Sequence, residues 1–326
     1  MHMHKPLSLV IFAGLLLTCV SSSAQGSNVE LEFDCGTIAP NGSGAMVYQD
    51  FGRGFRFEFP GDWKGSKLFL SSPGTAAQIL VNPMIASSDP KFYVTEPAKP
   101  TGSETINGLT WTALTWEQGG RGYYTYSHGL AIEFFAAAFG KNKAVDPAAL
   151  AALQQVLSTF TFFDDPYRLD RQLAALKVGQ KLGDLTITRI IPGAGGFEHP
   201  LATVEFAGQV TLTGDMVLPS PTMLGGWGPY RLLPDDQTRR SIPHLKCPVE
   251  NLVSITKNAF AVGLTNQQFT NQKFAQVPSI SGNHSWYEAE TTVVIDKVAQ
   301  DFSPLGETSP GILAKLVKVI SKREGL

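Results

Sequence analysis

The stretch ATVEFAGQVTLTGDMVL, residues 202–218, constrains the fold of this chain more than any other. Every even position from 204 to 216 is apolar or glycine: Val204, Phe206, Gly208, Val210, Leu212, Gly214 and Met216. The odd positions from Thr203 to Asp215 are polar except Ala207. A period of two sustained over that length describes a strand with one buried and one exposed face. Sheets twist, so so long a two-faced strand has to curve. Glycine at 208 and 214, on the concave side, removes side chains that would otherwise collide across a narrow interior. This predicts a small closed all-β barrel, with a β-sandwich as the alternative. A backbone conformation open only to glycine at Gly208, or a bulge there, separates the two.

The neighbouring sequence fits a barrel domain over residues 178–302. Leu185 to Thr188 reads as a strand, PGAGG at 192–196 is rich in turn residues, and Tyr287 to Ile295 alternates again. A small Greek-key barrel of the OB type is the expected architecture. Residues 303–326 are expected to form a C-terminal amphipathic helix opened by Ser309-Pro310. Ile312, Leu313, Leu316, Val317 and Ile320 would make its apolar stripe, with Lys315, Lys318, Lys322 and Arg323 as basic flank. Such a helix suits peripheral contact with an anionic membrane, although docking on the protein itself is the simpler use.

A different pattern occupies residues 46–163. Phe55 to Phe59, Lys67 to Leu70, Gln78 to Val81, Leu109 to Trp116, Gly122 to Ser127 and Leu130 to Phe139 read as strands. The glycine-rich turns between several of them argue for antiparallel pairing. Pro83 to Gly102 reads as loop. Asp146-Pro147 then opens a helix with Leu150, Leu153, Val156 and Leu157 on one face, and Thr159 to Phe162 closes the domain. The order predicts an α+β domain, an antiparallel sheet covered by helix. The segments FRFEFPGDW (55–63), INGLTW (106–111), LAIEFFAAAF (130–139) and AALQQVLSTFTF (151–162) resemble the PsbP-like family, which includes exported proteins of the DcrB type. That resemblance covers about 120 residues of packing motifs. It implies an α/β sandwich and a scaffold or binding role, with no catalytic residue. Residues 164–177 are expected to form a helical linker, with Leu169, Leu173 and Leu176 on one side.

The start of the chain reads as a secretory signal over residues 1–24: His4-Lys5, an apolar run from Leu7 to Leu17, and Ser22-Ser23-Ala24 ahead of the cut. A lipobox-like Leu16-Leu17-Thr18-Cys19 offers an alternative, a lipoprotein anchored through Cys19. Residues 25–45 are expected to be a mostly irregular extension. Export to the periplasm or beyond would leave two cysteines, Cys35 and Cys247, as a disulfide candidate in an oxidising compartment. Two free thiols are the other reading. Asn41-Gly42-Ser43 and Asn283-His284-Ser285 are glycosylation sequons, relevant only in a host that uses them. The whole chain carries a formal net charge of −2, and nothing in it suggests the basic surface that nucleic-acid binding requires.

Candidate binding residues are aromatic. Trp227 and Tyr230 lie in GGWGPY, and Trp286 and Tyr287 follow Gly282-Asn283. Aromatic rings held out by glycines can stack on a sugar or a partner's side chain; equally, they can pin a loop to the core. His244 and Cys247 have a ligand-like spacing, but no second closely spaced pair accompanies them, so no metal is expected. No nucleophile-elbow, zincin, P-loop or dinucleotide motif is present, and no cofactor is expected. Ser127-His128 reads as a hairpin turn rather than a dyad, and Asp164-Asp165 and Asp235-Asp236 as caps or loop charges. These observations point to an exported, non-enzymatic binding or scaffold protein of the cell envelope that recognises a glycan or protein partner. An envelope hydrolase acting on glycan or peptide is the alternative, and it would require a deep pocket with convergent polar groups.

Overall fold

The computed structural model describes residues 35–66, 69–73, 77–89, 98–116, 119–136, 145–193, 200–217, 230–248, 262–266, 288–302 and 312–324. Strands dominate them; two large hydrophobic cores mark a first and a second domain, and a smaller third cluster around Met84 and Trp116 belongs to the first.

The first domain contains two antiparallel sheets. β1 (Gly36–Pro40), β2 (Met46–Asp50) and β3 (Phe55–Phe59) form a meander, and β11 (Thr161–Phe162) adds to the β3 side. The larger sheet contains β4 (Lys64–Ser66), β5 (Phe69–Ser71), β6 (Gln78–Ile85), β7 (Lys99–Ile106), β8 (Leu109–Thr115), β9 (Arg121–Ser127) and β10 (Leu130–Ala136). Its order is β4-β5-β6-β10-β9-β8-β7. Helix α1 (Pro147–Thr159) starts as expected: the Asp146 carboxylate accepts from the Ala148 N–H at 2.8 Å, and proline occupies the first turn. The helix buries Ala149, Ala152, Leu153, Val156 and Leu157. Phe55, Phe57 and Phe59 alternate inward from β3 and meet Trp111, Phe134 and Phe160, with the Trp111 and Phe160 rings edge to face at 5.3 Å.

Three expectations need correction here. The α/β sandwich implied by the family resemblance is not what the chain forms, because one helix and a second sheet share the cover of the large sheet. Part of the supposed irregular extension is β1, since Ile38 and its neighbours pair in register with β2. The supposed loop up to Gly102 ends in β7, a strand almost wholly exposed and therefore without the alternation that marks a half-buried one.

The second domain begins with β12 (Lys181–Leu182), β13 (Leu185–Pro192) and β14 (Ala202–Ala207). It continues through β15 (Val210–Val217), β16 (Tyr230–Pro234), β17 (Val262–Leu264), β18 (Glu288–Phe302) and β19 (Ile312–Glu324). The strands β15-β16-β17-β19-β18 close into a five-stranded barrel, with β17 and β19 parallel and every other pair antiparallel. Its interior holds Leu212, Met216, Leu232, Val262, Leu264, Val293, Ile295, Ile312, Ala314 and Leu316.

The alternating ribbon at 202–218 is two strand segments running along one partner. Glu205 pairs with Ala299 and Val210 with Ile295, so the four residues 206–209 stand opposite the three residues 296–298. This is a bulge, and Gly208 sits in it at φ +119°, a conformation that side chains rarely adopt. Across from it Lys297 is also left-handed, at φ 49°. The bend therefore falls where the glycine predicted it, but Gly208 is exposed rather than on the concave face. Gly214 is buried as expected: a Cβ there would lie 2.1 Å from the Leu233 carbonyl oxygen of β16. Its missing side chain lets two backbones approach.

The expected C-terminal helix is a strand. Ile312, Ala314 and Leu316 alternate into the barrel while Lys315 is exposed, and the β-branched Val317, Val319 and Ile320 suit extended backbone. The barrel wall requires this strand, because β19 joins β17 to β18. The apolar residues at 312, 313, 316, 317 and 320 satisfy a helical stripe as well, and tertiary pairing decides between the two.

The domains meet at helix α2 (Leu169–Ala175). Leu169 and Leu201 pack against both cores. The Leu169 N–H donates to the Gly52 carbonyl at 2.8 Å, and the Gln172 amide exchanges hydrogen bonds with the Lys246 backbone, at 2.9 and 2.8 Å. Cys35 and Cys247 are paired as a disulfide, with Cα atoms 5.5 Å apart across a sequence separation of 212. The bond fastens the edge of the first domain to the segment after the Arg239–Ser241 turn.

Candidate functional site

Two places on this fold bring chemistry together. The first is one rim of the barrel. Val217, the last residue of β15, pairs with Arg231 on one side and Glu288 on the other. Tyr230 pairs with Leu264 at the end of β17, and Ala289 with Glu324 at the end of β19. The chain therefore leaves this rim at Val217 and re-enters at Tyr230, and it re-enters again at Glu288. Of the four predicted aromatic residues, Tyr230 opens β16, whereas Trp227, Trp286 and Tyr287 lie outside the described residues. Trp227 precedes the re-entry at Tyr230, and Trp286-Tyr287 immediately precede the re-entry at Glu288.

The second place is an open pocket of about 420 Å³ beside α2, lined by His128, Phe162, Phe163, Asp164, Arg168, Asp170 and Arg171. Its residues come from three elements. His128 and Gly129 are the two loop residues of the β9–β10 hairpin, both left-handed at φ 54° and 72°, as a type I′ turn requires. That turn lays the His128 ring against Phe162 at 5.1 Å. Phe163 follows β11 and meets the edge of Phe51 at 6.0 Å. Arg168 caps the start of α2 and is nearly buried. Its Nε and Nη2 atoms grip the two oxygens of Asp170 at 3.1 and 3.0 Å, and Nη2 also donates to the His128 carbonyl at 2.8 Å. Gly54 abuts the Arg168 stem so closely that a Cβ there would lie 2.9 Å from Arg168 Cδ. Arg171 pairs with Asp164 at 2.6 Å in the open.

Other sequence candidates resolve into structure. Ser127 Oγ hydrogen-bonds His128 Nδ1 at 2.7 Å on the exposed side of the hairpin, yet Ser127 is not among the residues lining the pocket. Asp165 accepts from the Tyr167 N–H, and Asp235 from the N–H and hydroxyl of Thr238, so both are local turn acceptors. His244 Nδ1 bonds the Ile242 carbonyl, and the sulfur of Cys247 belongs to the disulfide. The sequon residue Asn41 organises its own turn, accepting from Ser43 and Ala45 while donating to Glu58 at 2.9 Å. Among the described residues no helix is long and apolar enough to cross a membrane, and no group of three or more His, Cys, Asp or Glu is placed to hold a metal ion. Sequence reasoning missed the pocket; the signal available to it was only the RLDR run at 168–171, which sets one arginine at the cap of a short helix and another in its first turn.

No protein-family model matches the chain, and no curated protein matches it.

Proposed function

We propose that this is an exported, non-enzymatic binding protein of the cell envelope whose barrel is of the OB type and presents aromatic side chains at one rim to a glycan or a protein partner. The observation that carries the reading is the register at Val217, paired at once with Arg231 and Glu288. The strand starts at Tyr230 and Glu288 therefore share one end of the barrel, and Trp227 and Trp286-Tyr287 precede those two strands in sequence. The five-strand order, with its single parallel pair, supports the OB assignment, and in such barrels the first inter-strand loop is a recurrent contact for oligosaccharides and oligonucleotides. The net charge of −2 favours the former. The disulfide and the hydrophobic leader-like start support export.

The test is a glycan array, followed by titration of any hit, with wild type and with Trp227→Ala and Trp286→Ala. Base- or sugar-stacking aromatics typically lose about 1–3 kcal/mol on truncation, so each substitution is expected to weaken binding roughly tenfold or more. Both variants binding every ligand as well as wild type would refute the rim as the site. An enzymatic reading would instead be favoured by turnover of an arrayed glycan.

A further inference from the structure

We propose that the pocket beside α2 is a second, separate binding site, for a flat apolar group carrying one carboxylate: an aromatic acid, either free or as the C-terminal residue of a peptide. Arg168 is the anchor. A guanidinium has five N–H donors in a fixed plane. Nε and Nη2 are committed to Asp170 and the His128 carbonyl, while no described residue accepts from Nη1. The side chain is only 7 % accessible, and Arg168 forms part of the pocket wall. A cation so held is already oriented; it loses no rotamer freedom when a ligand arrives.

Arg171 supplies the exchangeable half of the clamp. Its partner Asp164 is 69 % exposed and its own side chain 53 %. Surface pairs of that kind contribute little, so a ligand carboxylate can replace Asp164 at small cost. Asp170 has no such freedom, because both of its oxygens hold Arg168. The charge pattern sets the valence of the ligand. Two arginines and two aspartates line the pocket; once a ligand displaces Asp164 the clamp keeps one net positive charge, which a monoanion neutralises and a dianion such as a phosphate monoester exceeds. The apolar body is provided for by Phe162 and the His128 ring tilted against it, with Phe163 completing the wall. A volume of about 420 Å³ lies at the small end for ligand pockets and suits a molecule of amino-acid size.

The probes are 3-phenylpropionate, its neutral amide, and the tripeptide Gly-Gly-Phe with a free C-terminus, each titrated calorimetrically into the full chain at low ionic strength. The acid is expected to bind at least about tenfold more tightly than the amide. Arg171→Gln changes an exposed residue and leaves the fold intact; it is expected to weaken the acid about tenfold and leave the amide unchanged. A tripeptide tighter than phenylpropionate identifies a peptide terminus as the source of the carboxylate, and the reverse identifies a free acid. Trp227→Ala and Trp286→Ala leave these titrations unaltered, which keeps this site distinct from the barrel rim. The proposal is overturned if acid and amide bind alike, if Arg171→Gln binds the acid as wild type does, or if no heat is seen up to about 10 mM ligand.

Discussion

Gly214 is a point at which the barrel has no room for an added atom. A methyl group there would lie 2.1 Å from the Leu233 carbonyl oxygen, 2.8 Å from its carbonyl carbon and 2.8 Å from Pro234 Cα. A relaxed contact needs about 3.5 Å, so the shortfall against the oxygen is about 1.4 Å. All three neighbours are backbone, and no side-chain rotation relieves them. β16 would have to move away from β15, which disturbs the pairs Gly214 with Pro234 and Asp215 with Leu233, on a strand whose other edge is bonded to β17. Overpacking of a rigid interior costs about 1–3 kcal/mol and more where nothing yields, so Gly214→Ala is expected to destabilise the barrel by about 3 kcal/mol. With a urea dependence of about 2 kcal/mol per molar, its unfolding midpoint should fall by about 1.5 M. Gly208→Ala is the control. There the nearest atom is the tip of Leu185 at 3.1 Å, and the penalty is the positive-φ backbone, about 1–2 kcal/mol. Hydrogen exchange at the Val293 and Ile295 amides of β18 reads barrel stability directly. If Gly214→Ala loosens those amides no more than Gly208→Ala does, the close approach of β15 and β16 is not a constraint on the fold.

Two further expectations concern the ties around the joint. Arg53 and Asp50 form a buried pair at 2.6 Å, with side chains 7 % and 1 % exposed, and Arg53→Met leaves the carboxylate without its cation. A loss of about 3–5 kcal/mol is expected by thermal denaturation, with Asp50→Asn added on top costing far less than its effect alone; simple additivity of the two would refute the pairing argument. Cys35→Ser opens the 212-residue loop, and by loop-closure entropy alone that is worth about 5 kcal/mol. Non-reducing peptide mapping should recover Cys35 and Cys247 on one linked species in wild type, and their recovery as separate free thiols would disprove the bond.

How much of this was legible beforehand differs between elements for physical reasons. Strands buried on one face only, such as β3 and β14, announce themselves by alternation, and α1 by Asp146-Pro147 and its apolar face. β7 did not, because nearly every residue from Lys99 to Thr105 is exposed and its strand character comes from pairing with β8 rather than from burial. At β19 the apolar spacing fits two periods, and the choice falls to partners that are remote in sequence. Gly208 marked a bend correctly but not its direction: the bulge turns residues 207–209 outward, and the even positions from Val210 to Met216 are buried again beyond it. The disulfide was foreseeable from cysteine number, although its geometry was not. The pocket was invisible since its walls are a hairpin turn at 128, a strand end at 162–164 and a helix at 168–171, brought together only by tertiary structure.

The bond between Cys35 and Cys247 also fixes an order of events during synthesis. At about 5–20 residues per second, the second thiol emerges some 10–40 s after the first. All strands of the first domain are thus synthesised while Cys35 still lacks its partner, and the chain places no cysteine between positions 35 and 247 to capture it. Locking of the two halves waits for the barrel's own second strand, β16, and can come before its last three strands, β17, β18 and β19, have been made.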